Sequence, residues 1–233
     1  MELLIAVTLM SLLSVGILFA IRVGLNAMEK TNRRFISNRR VVGAQRILEQ
    51  QIANFMPVMA DCMTPNGSPQ RSPFFQGEAE SMRFVSSYSL EQSARGYARL
   101  LEFQVMPRED GRGVRLIVND HVYTGPRGAG QVCLGYQTDP ASGARILGFL
   151  PIQPGPYSFV LADRLAYCRF YYRETMQPPV YERWVQRWVT QQWPSAVRVE
   201  MALLEPDPSG LTVMSMTVPV RANRQPGVLF ADF

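Results

Sequence analysis

Few residues in this chain have side chains suited to covalent or ligand chemistry, and their spacing argues against most of it. His121, the single histidine, sits in VNDHVY beside Asp120. A Ser–His–Asp site needs three groups converging from distant positions, which one adjacent pair does not define, so His121 reads as a surface residue at a strand edge. The three cysteines, Cys62, Cys133 and Cys168, lie far apart with no C-x-x-C spacing. A zinc site needs about four grouped ligands. Three scattered thiols fit either one disulfide plus a free thiol or three buried thiols. GPRGAG, residues 125–130, is glycine-rich like a phosphate loop but lacks the following Lys-Ser/Thr and a downstream helix pattern, and it reads as a flexible loop. The acid pairs Glu109–Asp110 and Glu78/Glu80 fall short of the roughly six oxygen ligands of a calcium loop and read as surface acids. Trp184, Trp188 and Trp193 fit either an exposed partner-binding patch, since tryptophan is enriched at interface hot spots, or core packing. No catalytic residue, metal site or cofactor is expected, nor an enzymatic role.

The segment that must position everything else is the first one. From Leu3 to Ile21 runs LLIAVTLMSLLSVGILFAI, without a charge. As a helix it spans about 28 Å, close to the thickness of a bilayer's hydrocarbon core. A cleavable secretory signal would carry a basic opening, a shorter apolar stretch and a small-x-small cleavage site. A helix laid on the core of a domain this size would be apolar on one face only. The apolar residues Leu3, Leu4, Ile5, Val7, Leu9, Leu12, Leu13, Val15, Ile17, Leu18, Phe19 and Ile21 point all round, so the segment reads as a transmembrane anchor.

Between Glu2 and Met56 there is no proline, and Pro57 is the first hard break. Beyond a polar stretch, Val41, Ala44, Leu48, Ile52 and Phe55 recur at spacings of three and four residues, one helical stripe suited to packing on a sheet. A single helix of about 55 residues, about 80 Å long by its rise, is expected to begin in lipid and end against a globular body. The expected divisions are residues 1–21 in the membrane, 22–56 in the second half of the same helix, and 57–233 in a β-rich head domain. Glu2 is conspicuous: a carboxylate at the start of a lipid-embedded helix is costly unless paired or held at the headgroups, where the helix dipole favours it. A cation on another molecule would make it an assembly device.

The formal charge of +5 is local. Residues 22–46 hold seven basic side chains and one acid, and the remainder, with 17 basic and 18 acidic residues, is nearly neutral. A broad nucleic-acid surface is therefore excluded. After the turn-rich stretch 61–77, expected as a loop, come runs of strand character at 82–89, 98–106, 113–123, 131–136, 145–151, 157–172, 196–204 and 211–221. The last two, separated by Asp-Pro-Ser-Gly, form an expected antiparallel hairpin, and 181–193 fits helix or strand. One long helix followed by strands gives an α+β fold with the helix laid on antiparallel sheet.

ELLIAVTLMSLLSVGI, residues 2–17, resembles the N-terminus of type IV pilin-like proteins, in which a glutamate precedes an apolar helix. FYYRE, ERWVQRW and WPSAVRVEMAL resemble the C-terminal third of minor pseudopilins of the J class in type II secretion, with Trp193-Pro194 in place of Leu-Pro. The resemblance implies a single-pass protein of the bacterial inner membrane with its head in the periplasm. It implies a structural subunit at the tip of the pseudopilus, together with the I- and K-class minor pseudopilins and the major pseudopilin. It implies that Glu2 pairs with the methylated N-terminal amine of a neighbour, and that prepilin peptidase processes the full-length precursor. The reading frame upstream of Met1 is then expected to encode a basic leader ending in Gly-Phe-Thr-Leu. The positive-inside rule taken alone points the other way, to a cytoplasmic head, because the basic residues follow the anchor. Two alternatives remain open: a minor pilin of a type IV pilus, and a signal-anchored periplasmic enzyme or ligand sensor.

Overall fold

The computed structural model describes residues 2–64, 67–90, 94–140, 143–156, 158–176, 181–205 and 213–221, with side chains throughout these except at 2–3, 30–40 and 94–95. The chain divides into two compact units, residues 1–40 and 41–233. Helix α1 (Glu2–Ala53) accounts for the described part of the first and opens the second. It ends where Asn54 turns its side-chain amide back onto the Gln50 carbonyl, 2.7 Å away, and Pro57 prevents any continuation.

The second unit is α+β. Its strands are β1 (Phe55–Met56), β2 (Met59–Met63), β3 (Pro69–Pro73), β4 (Gln76–Gly77), β5 (Ser81–Ser89), β6 (Ala94–Pro107) and β7 (Val114–Val122). There follow a short helix α2 (Pro126–Gly130), β8 (Cys133–Thr138), β9 (Arg145–Phe149), β10 (Ser158–Thr175), β11 (Glu182–Val185), β12 (Ala196–Leu203) and β13 (Val213–Pro219). Nine of these strands form one antiparallel sheet in the order β1-β5-β6-β7-β10-β12-β13, with β4 also on β5 and β11 on β10. Strands β2–β3 and β8–β9 form separate hairpins.

Each sheet strand alternates, so the two faces are built from different residues. On one face Met82, Phe84, Leu101, Phe103, Leu116 and Val118 pack with Val41, Ala44, Leu48, Ile52 and Phe55 in a single core. Phe55, Phe84 and Phe103 stack in succession, with ring centroids 5.5 and 5.8 Å apart. Val41, Ala44, Leu48 and Ile52 are the buried side of the helix, and complete burial of a residue such as Leu48 or Ile52 contributes about 1.5–3 kcal/mol; Phe55, expected on the same helical stripe, stands on β1 because the helix ends at Ala53. The other face carries Val85 and Leu100, which pack with Val58, Ala60, Cys62, Phe74 and Ala129 from the β2–β3 hairpin and α2.

A polar row crosses that second face. Gln76, Arg83, Glu102, Asn119 and Ser158 stand in register on β4, β5, β6, β7 and β10. Arg83 donates to Gln76 Oε1 and to Glu102 Oε1, both at 2.7 Å. Asn119 donates to Glu102 Oε2 at 2.9 Å, and Ser158 donates to Asn119 Oδ1 at 2.5 Å. The chain between β9 and β10 lies over the row: Arg83 also reaches the Leu150 carbonyl at 3.0 Å, Asn119 reaches that of Gln153 at 2.9 Å, and the Phe149 ring covers the guanidinium. Burial lowers the pKa of Arg83, and the Glu102 carboxylate opposes that shift.

Strand β10 changes partners along its length, pairing with β7 in its first half and β12 in its second. Register shifts on both sides flank Arg164, whose φ of 58° is unusual for a residue with a side chain. Gly113 (φ 74°) faces this bulge, where a Cβ would meet the Leu165 carbonyl oxygen at 2.3 Å.

Every strand run expected from the sequence is present within a few residues of its expected ends. Two stretches differ. The expected loop 61–77 contains β3, β4 and most of β2, whose strand character is masked by prolines at both ends of β3. The GPRGAG stretch forms α2, because Pro126 suits a first helical position and Ala129 is buried against β2.

Two outcomes are expected. Glu102→Ala leaves the Arg83 guanidinium buried without its carboxylate and should cost about 3–5 kcal/mol in urea unfolding, most of it recovered in the Arg83→Met/Glu102→Leu double variant. A fragment beginning at Asn26 keeps the whole second unit and should melt cooperatively by calorimetry in detergent-free buffer.

Candidate functional site

The first candidate site is the apolar part of α1. Leu4–Glu29, whose most apolar 18 residues have a mean hydropathy of 2.6, is long and apolar enough to cross a membrane, and none of that window is buried. Leu4, Ile5, Val7, Leu9, Leu12, Leu13, Val15, Ile17, Leu18, Phe19 and Ile21 are each between 53% and 71% exposed. Exposure on all sides is what lipid requires and what water penalises. The few polar side chains here are satisfied within the helix: Thr8 donates to the Ile5 carbonyl, Ser11 to that of Thr8 and Ser14 to that of Met10, at 2.8–2.9 Å. Such internal bonding is how hydroxyls are accommodated in hydrocarbon. Glu2 lies at the start of α1, and its side chain, like that of Leu3, lies outside the described residues.

In the second unit the tryptophans separate into two environments. Gly77 has no Cβ because one would meet the Tyr172 ring at 2.7 Å. The close approach lets the Tyr172 hydroxyl donate to the Glu78 carbonyl at 2.9 Å and lets the Trp188 amide donate to the Gly77 carbonyl at 2.8 Å. Trp188 is thereby held edge-on against Phe75 and Tyr172. With Trp193 it lines a cleft of about 380 Å³, together with Glu174, Thr175, Thr190, Gln191 and Gln192. Trp184 is elsewhere, on β11, its ring covered by the Arg198 guanidinium 4.1 Å from the centroid. The three do not form one patch.

The other residues singled out by their chemistry stay apart. Among the described residues, no three His, Cys, Asp or Glu side chains converge in a metal-binding group. His121 is 45% exposed, with Nε2 3.5 Å from Glu102 Oε2. Glu109 and Asp110 pair with Arg115 and Arg108. Glu78 faces Arg187, and burial raises its pKa against the opposing pull of that guanidinium. The buried Arg99–Asp120 pair, 2.5 Å apart, lies on the helix-facing side of β6–β7 and was not legible in the sequence, since neither residue stands out until the strands are in register.

The cysteines resolve into the first of their two arrangements. Cys62 on β2 and Cys133 on β8 form a disulfide across 71 residues, and Cys168 is a buried free thiol in the helix-facing core. Burial pushes the Cys168 pKa up to about 12, from an ordinary value of 9.0, and the nearby Glu80 carboxylate adds to the shift. Tyr172 is raised in the same sense, chiefly by burial. A folded-state pKa above the unfolded one stabilises fully below the unfolded value and is lost as pH rises toward the folded one. Stability should therefore decline from pH 9 upward, more gently in Cys168→Ala. Ellman's reagent at pH 8 should find no thiol in the native protein and one after denaturation.

The chain matches no known family model and none of the curated proteins.

Proposed function

We propose that this chain is a structural minor pseudopilin of a type II protein secretion system, placed at the pseudopilus tip and assisting export of folded proteins across the outer membrane. The observation that carries the reading is the exposed apolar helix Leu4–Glu29 attached to an α+β head whose sheet packs on the helix's later stripe. The helix's charge-free part, up to Ile21, is greasy on every side and has two favourable surroundings, lipid and other helices like itself. A pseudopilin uses both in turn. Before assembly the segment holds the subunit in the inner membrane, and in the filament it bundles with the same segments of the major and the I- and K-class subunits. Glu2 neutralises a neighbour's N-terminal amine at that stage, offsetting the cost of a carboxylate among apolar helices.

The disulfide supports a periplasmic head. Structural disulfides form and persist in oxidising compartments and are rare in the cytosol. Cys62–Cys133 ties the β2–β3 hairpin to the β8–β9 hairpin, and closing a loop of this length is worth about 4 kcal/mol on the chain-entropy account. This favours the periplasmic orientation over the one that the basic residues following the anchor suggest by the positive-inside rule.

The experiment is charge removal at the helix start. Glu2→Ala should leave membrane insertion intact, by carbonate extraction, and reduce recovery of partner pseudopilins in a pull-down from detergent-solubilised membranes at least fivefold. Unchanged recovery would remove the assembly role from Glu2.

A further inference from the structure

We propose that the cleft between Trp188 and Trp193 is a binding site for a neutral saccharide. Its volume, about 380 Å³, lies in the range of small-ligand pockets and has room for a short oligosaccharide segment. Its chemistry is that of a sugar: a pyranose ring offers an apolar face of C–H groups and a rim of hydroxyls that both donate and accept. The wall supplies the counterpart of each. Trp188 is an indole plate fixed by Phe75 and Tyr172, at 6.2 and 6.4 Å between centroids, and by its own Nε1, which donates to the Gln192 carbonyl at 2.7 Å. A rigid ring loses little conformational freedom on binding. Around it stand the side chains of Gln191, Gln192 and Thr190, which carry donors and acceptors and no charge.

The charge balance points away from ionic ligands. The acid of the cleft, Glu174, accepts from Arg183 Nη2 at 2.7 Å, so its charge is already compensated. A proline-rich peptide is the competing occupant for paired tryptophans, but grooves for such peptides are walled mainly by aromatic rings. Here amide and hydroxyl side chains outnumber them.

The test uses the full chain in phosphatidylcholine nanodiscs, free of sugar-headed detergents, with ¹⁵N-labelled indoles observed by NMR. Chitotetraose and maltotetraose are titrated separately, so that acetamido and plain hexose chemistry are distinguished. At least one should shift the Trp193 indole signal saturably, with Kd below about 1 mM, and leave that of Trp184 in place. Gln191→Ala and Gln192→Ala each remove an exposed amide of the wall. Each should weaken binding at least tenfold with an unchanged melting temperature. The proposal is overturned if neither sugar gives a saturable shift by about 10 mM, if both variants bind as the parent does, or if a proline-rich peptide shifts Trp193 and neither sugar does.

Discussion

A guanidinium that is 1% exposed has to be answered by a carboxylate, and in this protein that need organises half of the sheet. Charges are almost never fully buried unless paired. Arg83 finds Glu102 directly opposite it on the neighbouring strand, and the carboxylate's second oxygen finds Asn119 on the next. Each partner is available in one register only. A slip of one residue between β5 and β6 would turn Arg83 or Glu102 into the phenylalanine-lined face beneath the helix, because strand side chains alternate with a period of two. The row is thus a registry device as much as a source of stability. The apolar face alone would tolerate two-residue slips, since Phe84, Leu101 and Phe103 could be exchanged among neighbours at modest loss.

The same row accounts for the layered build of the head. One face of the sheet is closed by a helix with a continuous apolar stripe, which any apolar sheet surface would accept. The other is closed by two hairpins, a helical turn and the chain from Phe149 to Gln153, none of which is long enough to bury a large area alone. They are held by particular bonds: the carbonyls of Leu150 and Gln153 on the polar row, the Ser72–Tyr136 hydroxyl pair at 2.8 Å, and the Cys62–Cys133 disulfide. Elements that lack area depend on directional or covalent contacts.

What could be read from the residues follows from this difference. The helix and its buried side were legible because Val41, Ala44, Leu48 and Ile52 carry the periodicity within one element. The strand runs and the α+β class were legible for the same reason. The polar row was not, because its members are separated by a hairpin on one side and a turn on the other, and only register unites them. The signal was an arginine between Met82 and Phe84 in an otherwise apolar strand run. The β2–β3 hairpin was hidden by Pro69 and Pro73, residues that read as turn when no partner strand is known. The three tryptophans stand out in the sequence as one group, yet the irregular chain after β11 brings Trp188 and Trp193 to one cleft and leaves Trp184 under Arg198.

The placement of the disulfide has a bearing on biogenesis. Its two halves are contributed by β2 and β8, which precede and follow β5, β6 and β7 in the chain, so the nascent chain presents Cys62 long before its mate. If the head is exported as proposed, the first thiol would wait, reduced or held in a mixed disulfide with an oxidase, until residue 133 emerges on the same side. By then β5, β6 and β7 would also be through. Covalent maturation would then be a late event, gated by translocation and not by the anchor's insertion.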